Sequence, residues 1–281
     1  MSASNTSPAN DLRNLSGSLV LLGAGKMGGA LLDGWLRAGL PPTKLAVIEP
    51  HPSAGISALA ARGVQINPDL AGLKEIAAIV IAVKPQTAPE AVPTVESLVG
   101  PDTVVVSIMA GRPLQFLTSA LKGANALVRA MPNTPAAIGR GITVAVPLRT
   151  SERQRDLAHR LLSATGTVLW VDDEALMDAV TAMSGSGPAY VFLLAEALAQ
   201  AGIASGLPQP LAEQLARETI SGAGELLHHS ALDAATLREN VTSPGGTTAA
   251  ALDVLMRDDG LAALMKEAVA AATARSRKLA G

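Results

Sequence analysis

The first half of the chain alternates short apolar runs, rich in β-branched residues, with stretches in which apolar positions recur at helical spacing. Several of the short runs are apolar at every position, as strands buried on both faces of a parallel sheet are. The alternation is typical of an α/β protein with a doubly wound sheet. The predicted strands are residues 19–22, 45–48, 78–83, 103–108, 126–129, 142–146 and 167–171.

The second half has a helical pattern. From Asp172 onward it is rich in Ala, Leu and Glu, and breakers at 187–188, 206–208, 243–246 and 258–260 divide it into about five helices. We therefore predict a doubly wound domain over residues 17–172 and an all-helical domain over residues 173–281. Residues 1–16 are polar and are expected to form a disordered leader.

Apolar residues cover most of the circumference of the helices predicted in the second half, notably residues 190–204 and 261–272. Such helices need packing partners on several sides. A helical domain of roughly 110 residues is too small to supply all of them by itself. The natural hypothesis is therefore a bundle formed with helices of another subunit.

Composition excludes several classes of function. The 281 residues are 48% hydrophobic and 16% charged, which provides ample core, and the net charge of −2 lacks the basic footprint of a protein that binds nucleic acid. With two Trp, one Tyr and two Phe, a base-stacking surface is not expected either. Because the chain has no Cys and its four His do not form a ligand set, no metal site is predicted.

The sequence shows neither a membrane anchor nor a secretion signal. Its longest unbroken apolar run, residues 76–83, is far below the ~18 residues that a membrane span requires. The polar N-terminus lacks the apolar centre of a signal peptide. We expect a cytoplasmic protein that does not enter the membrane.

A glycine-rich motif joins the first predicted strand to the first helical pattern. Gly23, Gly25 and Gly28 form G-x-G-x-x-G directly after the strand, and the helical pattern runs over residues 29–37. In this context the first glycine allows a tight turn, the second lets a pyrophosphate approach the backbone, and the third lets helix and strand pack closely. The motif predicts that residues 17–172 are a Rossmann-type dinucleotide-binding domain, although a glycine-rich turn without a ligand can look the same.

An acidic residue ends the second predicted strand. Glu49 lies 26 residues after Gly23, where a carboxylate usually accepts hydrogen bonds from the adenosine ribose. Because a carboxylate repels a 2′-phosphate, Glu49 favours NADH. His51 and Ser53 follow it and could donate to a phosphate, and Glu49 could also be a solvated strand end.

Two further strands end in polar residues at the sheet edge where doubly wound folds bind ligands. Lys84 follows Ala82 and Val83 at one strand end, where it can reach a cofactor or substrate or lie in solvent. Residues 131–135, Met-Pro-Asn-Thr-Pro, end another strand, and their two prolines indicate a rigid loop. That loop is either part of the site or a plain connection.

A second glycine turn precedes a helical pattern in the second half. In residues 242–248, Thr-Ser-Pro-Gly-Gly-Thr-Thr, Ser243 is expected to be the N-cap and Pro244 the first helical residue. The amides of such a helix N-terminus form an anion site. A capped helix without a ligand would look similar, but two successive glycines reduce helix stability.

The residues that carbonyl reductases use as acids are missing. Tyr190 is the only tyrosine, Leu194 stands four positions after it in place of Lys, and no His lies in a candidate site loop. An imine that is protonated before or during hydride attack needs less assistance, because its nitrogen ends as an amine and never as an alkoxide. A hydroxyl such as that of Thr248 would suffice to orient such a substrate.

Five motifs together resemble pyrroline-5-carboxylate reductase, over roughly residues 18–275. The resemblance implies hydride transfer from NADPH or NADH to the imine carbon of 1-pyrroline-5-carboxylate, giving L-proline in the last step of proline biosynthesis. It also implies homodimers intertwined through the helical domain, often five in a decamer. Many members have Ser, Thr or Asn near the ribose where this chain has Glu49, which leaves the choice of cofactor open. The five motifs, in the family's order, are residues 23–28, 82–85, 131–135, 184–190 and 242–248.

The resemblance also implies roles for individual residues. Thr248 would be the catalytic residue, which hydrogen-bonds the ring nitrogen, and Ser243 with the 245–248 turn would bind the carboxylate. The substrate-binding set is Glu174, Asn240, Ser243, Gly245, Gly246, Thr247 and Thr248. The cofactor-binding set is Gly23, Ala24, Gly25, Lys26, Met27, Gly28, Glu49, Ala82, Val83, Lys84, Pro85, Met109, Ala110 and Asn133.

Two other functions fit part of the pattern. A β-hydroxyacid dehydrogenase shares a similar glycine motif and a helical second domain, but it needs a catalytic lysine on a helix. The second half offers Lys266 and Lys278, both near its end. A non-enzymatic NAD(H)-sensing dimer would use the helices for assembly alone, and it leaves the 242–248 turn unexplained.

Overall fold

The computed structural model describes residues 11–280 and divides them into two compact units. The first unit contains residues 11–185 together with 273–280, and the second contains Ser186–Ala272. Residues 1–10 of the predicted leader and residue 281 lie outside the described residues.

An eight-stranded sheet forms the centre of the first unit, with strand order β3-β2-β1-β4-β5-β6-β7-β8. Neighbouring strands are parallel except for β6 and β7, which are antiparallel. All seven predicted strands are present, and β3 was missed because it is two residues long. The strands are β1 Ser18–Leu22, β2 Leu45–Ile48, β3 Gln65–Ile66, β4 Ile76–Ile81, β5 Val104–Ser107, β6 Ala126–Met131, β7 Gly141–Leu148 and β8 Gly166–Trp170.

Helices cover both faces of this sheet, which confirms the doubly wound α/β prediction. On one face Leu19 and Leu21 of β1 join a core with Trp35, and on the other Val20 joins a core with Leu117. The helices of this unit are α1 Lys26–Arg37, α2 Ala54–Ala58, α3 Ala88–Ala91, α4 Leu114–Ala120, α5 Glu152–Ser163 and α6 Met177–Val180, with 3-10 turns at Pro42–Lys44, Leu59–Arg62, Leu70–Gly72, Val92–Leu98, Thr134–Ile138 and Glu174–Leu176 and a π-helical turn at Thr181–Gly185.

The predicted disordered leader is wrong for residues 11–16. Leu12 is fully buried and Leu15 is 2% exposed, and both belong to the core that contains Trp35. The backbone N–H of Leu12 donates to the carbonyl of Ala38 at 3.1 Å. Two leucines in a polar stretch show no periodicity, so the sequence pattern does not indicate that this segment covers α1.

The second unit is helical, as predicted. Its helices are α7 Gly187–Ala204, α8 Gln209–His229, α9 Ala234–Asn240, α10 Thr247–Leu255 and the first part of α11 Leu261–Ala280, whose last turns belong to the first unit.

The boundary between the two units falls later than the predicted position after Asp172. Residues 173–185 pack with the sheet unit, since Met177 and Ala182 are fully buried and Glu174 hydrogen-bonds to Arg129 of β6. The apolar strand pattern ends at β8, whereas the contacts of Glu174, Met177 and Ala182 place residues 173–185 in the same unit as the sheet.

Large apolar side chains lie exposed on α7. The helical stretch Glu174–Ala204 is long and apolar enough to cross a membrane, by length and composition only. This stretch was not anticipated from unbroken apolar runs, because Asp178 and Glu196 interrupt it. The exposed side chains on α7 include Val191, Phe192, Leu193, Leu194 and Leu198.

Candidate cofactor and substrate sites

The loop between β1 and α1 requires glycine at its first position. Gly23 has φ +93°, which L side chains rarely adopt, and a Cβ there would lie 2.8 Å from the carbonyl carbon of Ala82. Its N–H donates to the carbonyl of Ile48 at 2.8 Å, which holds the turn against the end of β2. Gly23 therefore makes the tight turn that the sequence predicted.

The other two glycines of the motif have different surroundings. A Cβ on Gly25 would meet no described atom within 4 Å, so the loop is open there. A Cβ on Gly28 would collide with the carbonyl oxygen of Gly23 and lie 3.1 Å from the Ala82 side chain. These positions fit the expected roles, close approach of a pyrophosphate at Gly25 and close packing at Gly28.

Helix α1 begins three residues earlier than its apolar pattern indicated. Gly25 is the N-cap and Lys26 is the first helical residue, so Lys26, Met27 and Gly28 form the first turn. The N–H groups of a first helical turn have no acceptor within the helix and point outward. The residues of this loop thus fit the pyrophosphate of a dinucleotide.

Glu49 lies between the glycine loop and the turn after β2. Its Oε2 accepts from the N–H of Ala24 at 2.8 Å, and its Oε1 accepts from the N–H of His51 at 3.1 Å. Its backbone pairs with the side chain of Asn67, whose Oδ1 accepts from Glu49 N at 2.8 Å and whose Nδ2 donates to Glu49 O at 2.9 Å. Sequence reasoning missed Asn67, because only the fold brings it beside Glu49.

The loops after β4 and β5 are joined by an arginine. Arg112 donates from Nε and Nη2 to the carbonyl of Pro85, at 3.1 and 2.8 Å, and its guanidinium lies 5.0 Å from the ring centre of Phe116. Lys84 is exposed just before Pro85. Arg112 therefore fixes the Ala82–Pro85 connection, and the sequence analysis did not identify it.

Met109 and Ala110 follow β5 at the same edge of the sheet. Met109 is 2% exposed, and its N–H donates to Oγ of Ser107 at 3.3 Å, whereas Ala110 is exposed. The N–H of Ile108 donates to Ile81 O at 3.0 Å, so this segment begins beside the end of β4. The structure thus brings the predicted cofactor segments after β1, β4 and β5 to one edge.

Asn133 lies in the loop after β6, where its side chain has a structural contact. Its Oδ1 accepts from the N–H of Ile142 at 2.9 Å, which holds the loop against the start of β7. The rigid loop expected from the two prolines is present as a 3-10 turn over Thr134–Ile138. Contact of Asn133 with a cofactor stays a prediction.

The carboxylate of Glu174 accepts two hydrogen bonds within the first unit. Its Oε1 accepts from Arg129 Nη1 at 2.8 Å and from the backbone N–H of Leu114, the first residue of α4, also at 2.8 Å. This carboxylate therefore stabilises the positive N-terminus of α4 as well as a largely buried arginine. Contact of Glu174 with a substrate stays a prediction.

The remaining predicted substrate residues lie together in the second unit. Asn240 is the last residue of α9, and the exposed Ser243 and Gly245 follow it in the connection to α10. Asp233, the N-cap of α9, accepts from the N–H of Thr236 at 2.8 Å, and this hydrogen bond lowers the pKa of the Asp233 carboxyl. The connection is thus short and is anchored by a well-capped helix.

The expected N-cap of α10 is wrong. Ser243 and Pro244 belong to a turn closed by a hydrogen bond from Gly246 N to Ser243 O at 3.0 Å, and Gly246 is the N-cap. Gly245 has φ +68°, and Pro followed by a residue of positive φ is typical of a type II turn, which cannot continue as a helix. Helix α10 therefore begins at Thr247.

The later start of α10 places both threonine hydroxyls at the helix N-terminus, where the anion site is predicted. Thr247 and Thr248 occupy the first turn of α10, and Thr248 is partly buried. A Cβ on Gly245 would meet no described atom within 4 Å, so the turn is open beside the N-terminus of the helix. A small carboxylate fits this arrangement of outward N–H groups and hydroxyls.

Within residues 11–280, no group of three or more His, Asp or Glu side chains could hold a metal ion.

Two family models match separate parts of the chain. Residues 174–279 match the family model described as pyrroline-5-carboxylate reductase dimerisation, and residues 18–111 match NADP oxidoreductase coenzyme F420-dependent. The pyrroline-5-carboxylate reductase of Pseudomonas aeruginosa is 37% identical over 265 residues, which cover 93% of this chain and 96% of the relative.

Solved structures give the same result. The pyrroline-5-carboxylate reductase of Coxiella burnetii superposes with a TM-score of 0.87 at 30% identity, covering 95% of this chain and 100% of that one. The pyrroline carboxylate reductase of Plasmodium falciparum, solved with NADP bound, gives 0.79 at 27% identity over 96% and 100% of the two chains. This chain belongs to the pyrroline-5-carboxylate reductase family.

Proposed function

We propose that the protein reduces the imine of 1-pyrroline-5-carboxylate to L-proline with a hydride from NADPH or NADH. Membership of the family supports the reaction. The observation that carries the proposal is the open turn before α10, with Thr248 on the first turn of a helix. The turn offers an anion site and a hydroxyl within one short segment, as a cyclic imino acid requires.

The cofactor supplies the hydride, and the chain's own residues bind and orient the cofactor and the substrate. Outward N–H groups at the start of α1 hold the pyrophosphate, and the segments after β4 and β5 line the rest of the dinucleotide. The open space at Gly25 supports this, since any side chain there would occupy it.

On the substrate side, the N–H groups at the start of α10 and the side chain of Ser243 hold the carboxylate. Thr248 then hydrogen-bonds the ring nitrogen. The ring nitrogen takes a proton from solvent before or as the hydride forms the C–H bond, so the π electrons of the C=N bond become the lone pair of a neutral amine. Since no alkoxide develops, neither a strong acid nor a metal ion is required. Asn240 and Glu174 are the further proposed substrate contacts, and Glu174 also holds Arg129 in place.

The protein assembles, in this proposal, as a homodimer through the helical region, with five dimers in a decamer. Exposed apolar side chains on α7 support the dimer, and so does an open groove of about 1100 Å³ between α7 and α8 that is lined by Phe192, Pro210 and Ile220 among others. The decamer rests on the family resemblance alone. Because Glu196 also lines that groove, a second protein surface suits it better than lipid. We accordingly propose a cytoplasmic enzyme.

The test is an assay of the purified full-length chain in both directions. We expect 1-pyrroline-5-carboxylate to oxidise NADH or NADPH, with L-proline as the product identified by chromatography, and L-proline to reduce NAD(P)⁺ at alkaline pH. A panel of β-hydroxyacids serves as the control and should give no turnover. Oxidation of a hydroxyacid without pyrroline-5-carboxylate turnover, or cofactor binding with no turnover of either, would contradict the proposal.

A further inference from the structure

We infer that Asn67 is a positioning residue for the choice between NADH and NADPH, acting through Glu49. The inference rests on the proposed function only in requiring that the glycine loop bind a dinucleotide. Asn67 lies outside the glycine motif and just beyond β3, and its side chain pairs with the backbone of Glu49 through one donor and one acceptor.

The side chain of Asn67 continues the hydrogen bonding to β2 beyond the point where the backbone pairing of β3 ends. The register of β2 with β3 pairs Ala46 with Gln65 and Val47 with Ile66, and it ends there. Asn67 has φ +48°, in the left-handed region that Asn tolerates, and its own N–H donates to Val47 O at 2.8 Å. Its amide side chain then takes the place of the next strand residue and holds both polar groups of the Glu49 backbone.

This clamp determines where the carboxylate lies. With its backbone held, Glu49 directs Oε2 to Ala24 N and Oε1 to His51 N, so both oxygens accept from backbone N–H groups. Swinging the side chain away would break both charge-assisted bonds. The negative charge therefore stays beside the glycine loop, where it accepts from ribose hydroxyls and repels a 2′-phosphate.

The neighbouring residues offer little to offset that repulsion. Ser53 is the N-cap of α2, and its Oγ accepts from Ile56 N at 3.3 Å, which leaves one O–H to donate. The backbone N–H of His51 is already donated to Glu49, so this residue has only its exposed imidazole to offer a phosphate. Charged groups on the facing first turn of α1 are limited to Lys26, which is exposed.

The experiment measures binding of fragments and needs no turnover. Calorimetry compares the Kd of ADP-ribose with that of 2′-phospho-ADP-ribose on the full chain. Wild type should prefer the unphosphorylated fragment by about tenfold, and Glu49→Gln should abolish most of that preference. Asn67→Gly keeps the left-handed backbone but loses both side-chain bonds, and it should lower the preference by about threefold.

A double variant separates positioning from mere stability. If Asn67 acts through Glu49, then Asn67→Gly should change the ratio of the two Kd values little in a Glu49→Gln background. Glu90→Gln, an exposed carboxylate of α3, is the control and should leave the ratio at the wild-type value. Asn67→His, also tolerated at positive φ, replaces Asn67→Gly should that variant not fold.

An Asn67 variant that weakens both fragments equally, or leaves the ratio unchanged, would overturn the inference. So would a wild type that binds the 2′-phosphorylated fragment more tightly. Since neither measurement uses an imine, an expected shift in the ratio with no pyrroline-5-carboxylate turnover would support the role of Asn67 while contradicting the proposed function.

Discussion

Arg129 Nη1 lies 2.8 Å from Oε1 of Glu174, and this ion pair joins β6 to the segment that follows β8. The arginine side chain is 6% exposed and the glutamate side chain 30%. The same oxygen accepts from Leu114 N, so the Glu174 carboxylate links β6 to the start of α4. Glu174 is also the first residue of the region that matches the dimerisation model.

Replacing that carboxylate should destabilise the sheet unit. In Glu174→Ala the arginine stays largely buried without its partner, and the N–H of Leu114 loses its acceptor. We expect a loss of about 2–3 kcal/mol in the free energy of unfolding, measured with urea, and a smaller loss for Glu174→Gln. Asp156→Ala, which breaks the exposed pair with Arg160, is the control and should cost less than about 1 kcal/mol. Wild-type stability of Glu174→Ala with a raised KM would instead favour a role in substrate binding.

Thr248 is the residue on which the proposed chemistry depends. Removing one positioned hydrogen bond in a desolvated site should cost about 1.5–3 kcal/mol, so Thr248→Ala should lose roughly ten- to a hundredfold in kcat/KM. Thr248→Ser keeps a hydroxyl and should retain most activity. Cofactor affinity, measured by separate titration, should stay near wild type in both.

Ser243→Ala provides the comparison, because loss of a carboxylate contact should raise KM more than it lowers kcat. Equal, near-normal rates for Thr248→Ala and Thr248→Ser would remove this hydroxyl from the mechanism.

Gly25 offers a substitution that separates binding from folding. Its backbone, at φ −68° and ψ −163°, suits alanine, and an added Cβ meets no described atom within 4 Å. Gly25→Ala should therefore keep the wild-type melting temperature and weaken NAD(P)H binding by about tenfold or more. Gly28→Ala should instead destabilise the fold by about 1–3 kcal/mol, because its Cβ meets the backbone of Gly23.

The control for this pair is Gly72→Ala, another position where a Cβ meets no described atom within 4 Å. It should change neither the melting temperature nor the dissociation constant. Unchanged cofactor affinity in Gly25→Ala would show that the pyrophosphate does not approach this glycine.

Leu12 tests whether the segment before β1 belongs to the core. Because its side chain is fully buried, Leu12→Ala should lower the free energy of unfolding by about 2–5 kcal/mol in a urea titration. Leu169→Ala, at a side chain that is 51% exposed, should have a much smaller effect. Equal effects would mean that Leu12 contributes no more than a surface leucine.

Leu198 tests the dependence of activity on assembly. It is 43% exposed on α7, and Leu198→Glu places a charge in the proposed dimer interface. We expect dissociation in light scattering together with loss of activity, while far-UV circular dichroism stays unchanged. Leu169→Glu on β8 should leave the dimer intact. A fully active Leu198→Glu monomer would show that the site does not need a partner.

Some features of this protein could be predicted because their cause is local. Strands buried on both faces of a parallel sheet are apolar at every position, and the others are short runs rich in β-branched residues, so seven strands could be located from the pattern along the chain. Gly23 and Gly28 could be assigned because a positive φ or a close backbone approach excludes every side chain, whatever lies elsewhere in the chain. Thr248 could be placed near a helix N-terminus because Pro-Gly-Gly stops one helix and precedes another.

Other features depend on residues that are distant in sequence, and only the tertiary structure decided them. Leu12 is a core residue because it meets α1, and neither its polar neighbours nor any periodicity indicates this. Asn67 and Arg112 were missed, because an amide or a guanidinium acquires its function from the carbonyl or N–H that the fold places opposite it. The sequence by itself therefore determined the strands and the glycine turns, which follow from backbone sterics and local burial. The tertiary structure determined which polar side chains hold those turns in place, because hydrogen bonds between distant segments require the packed sheet.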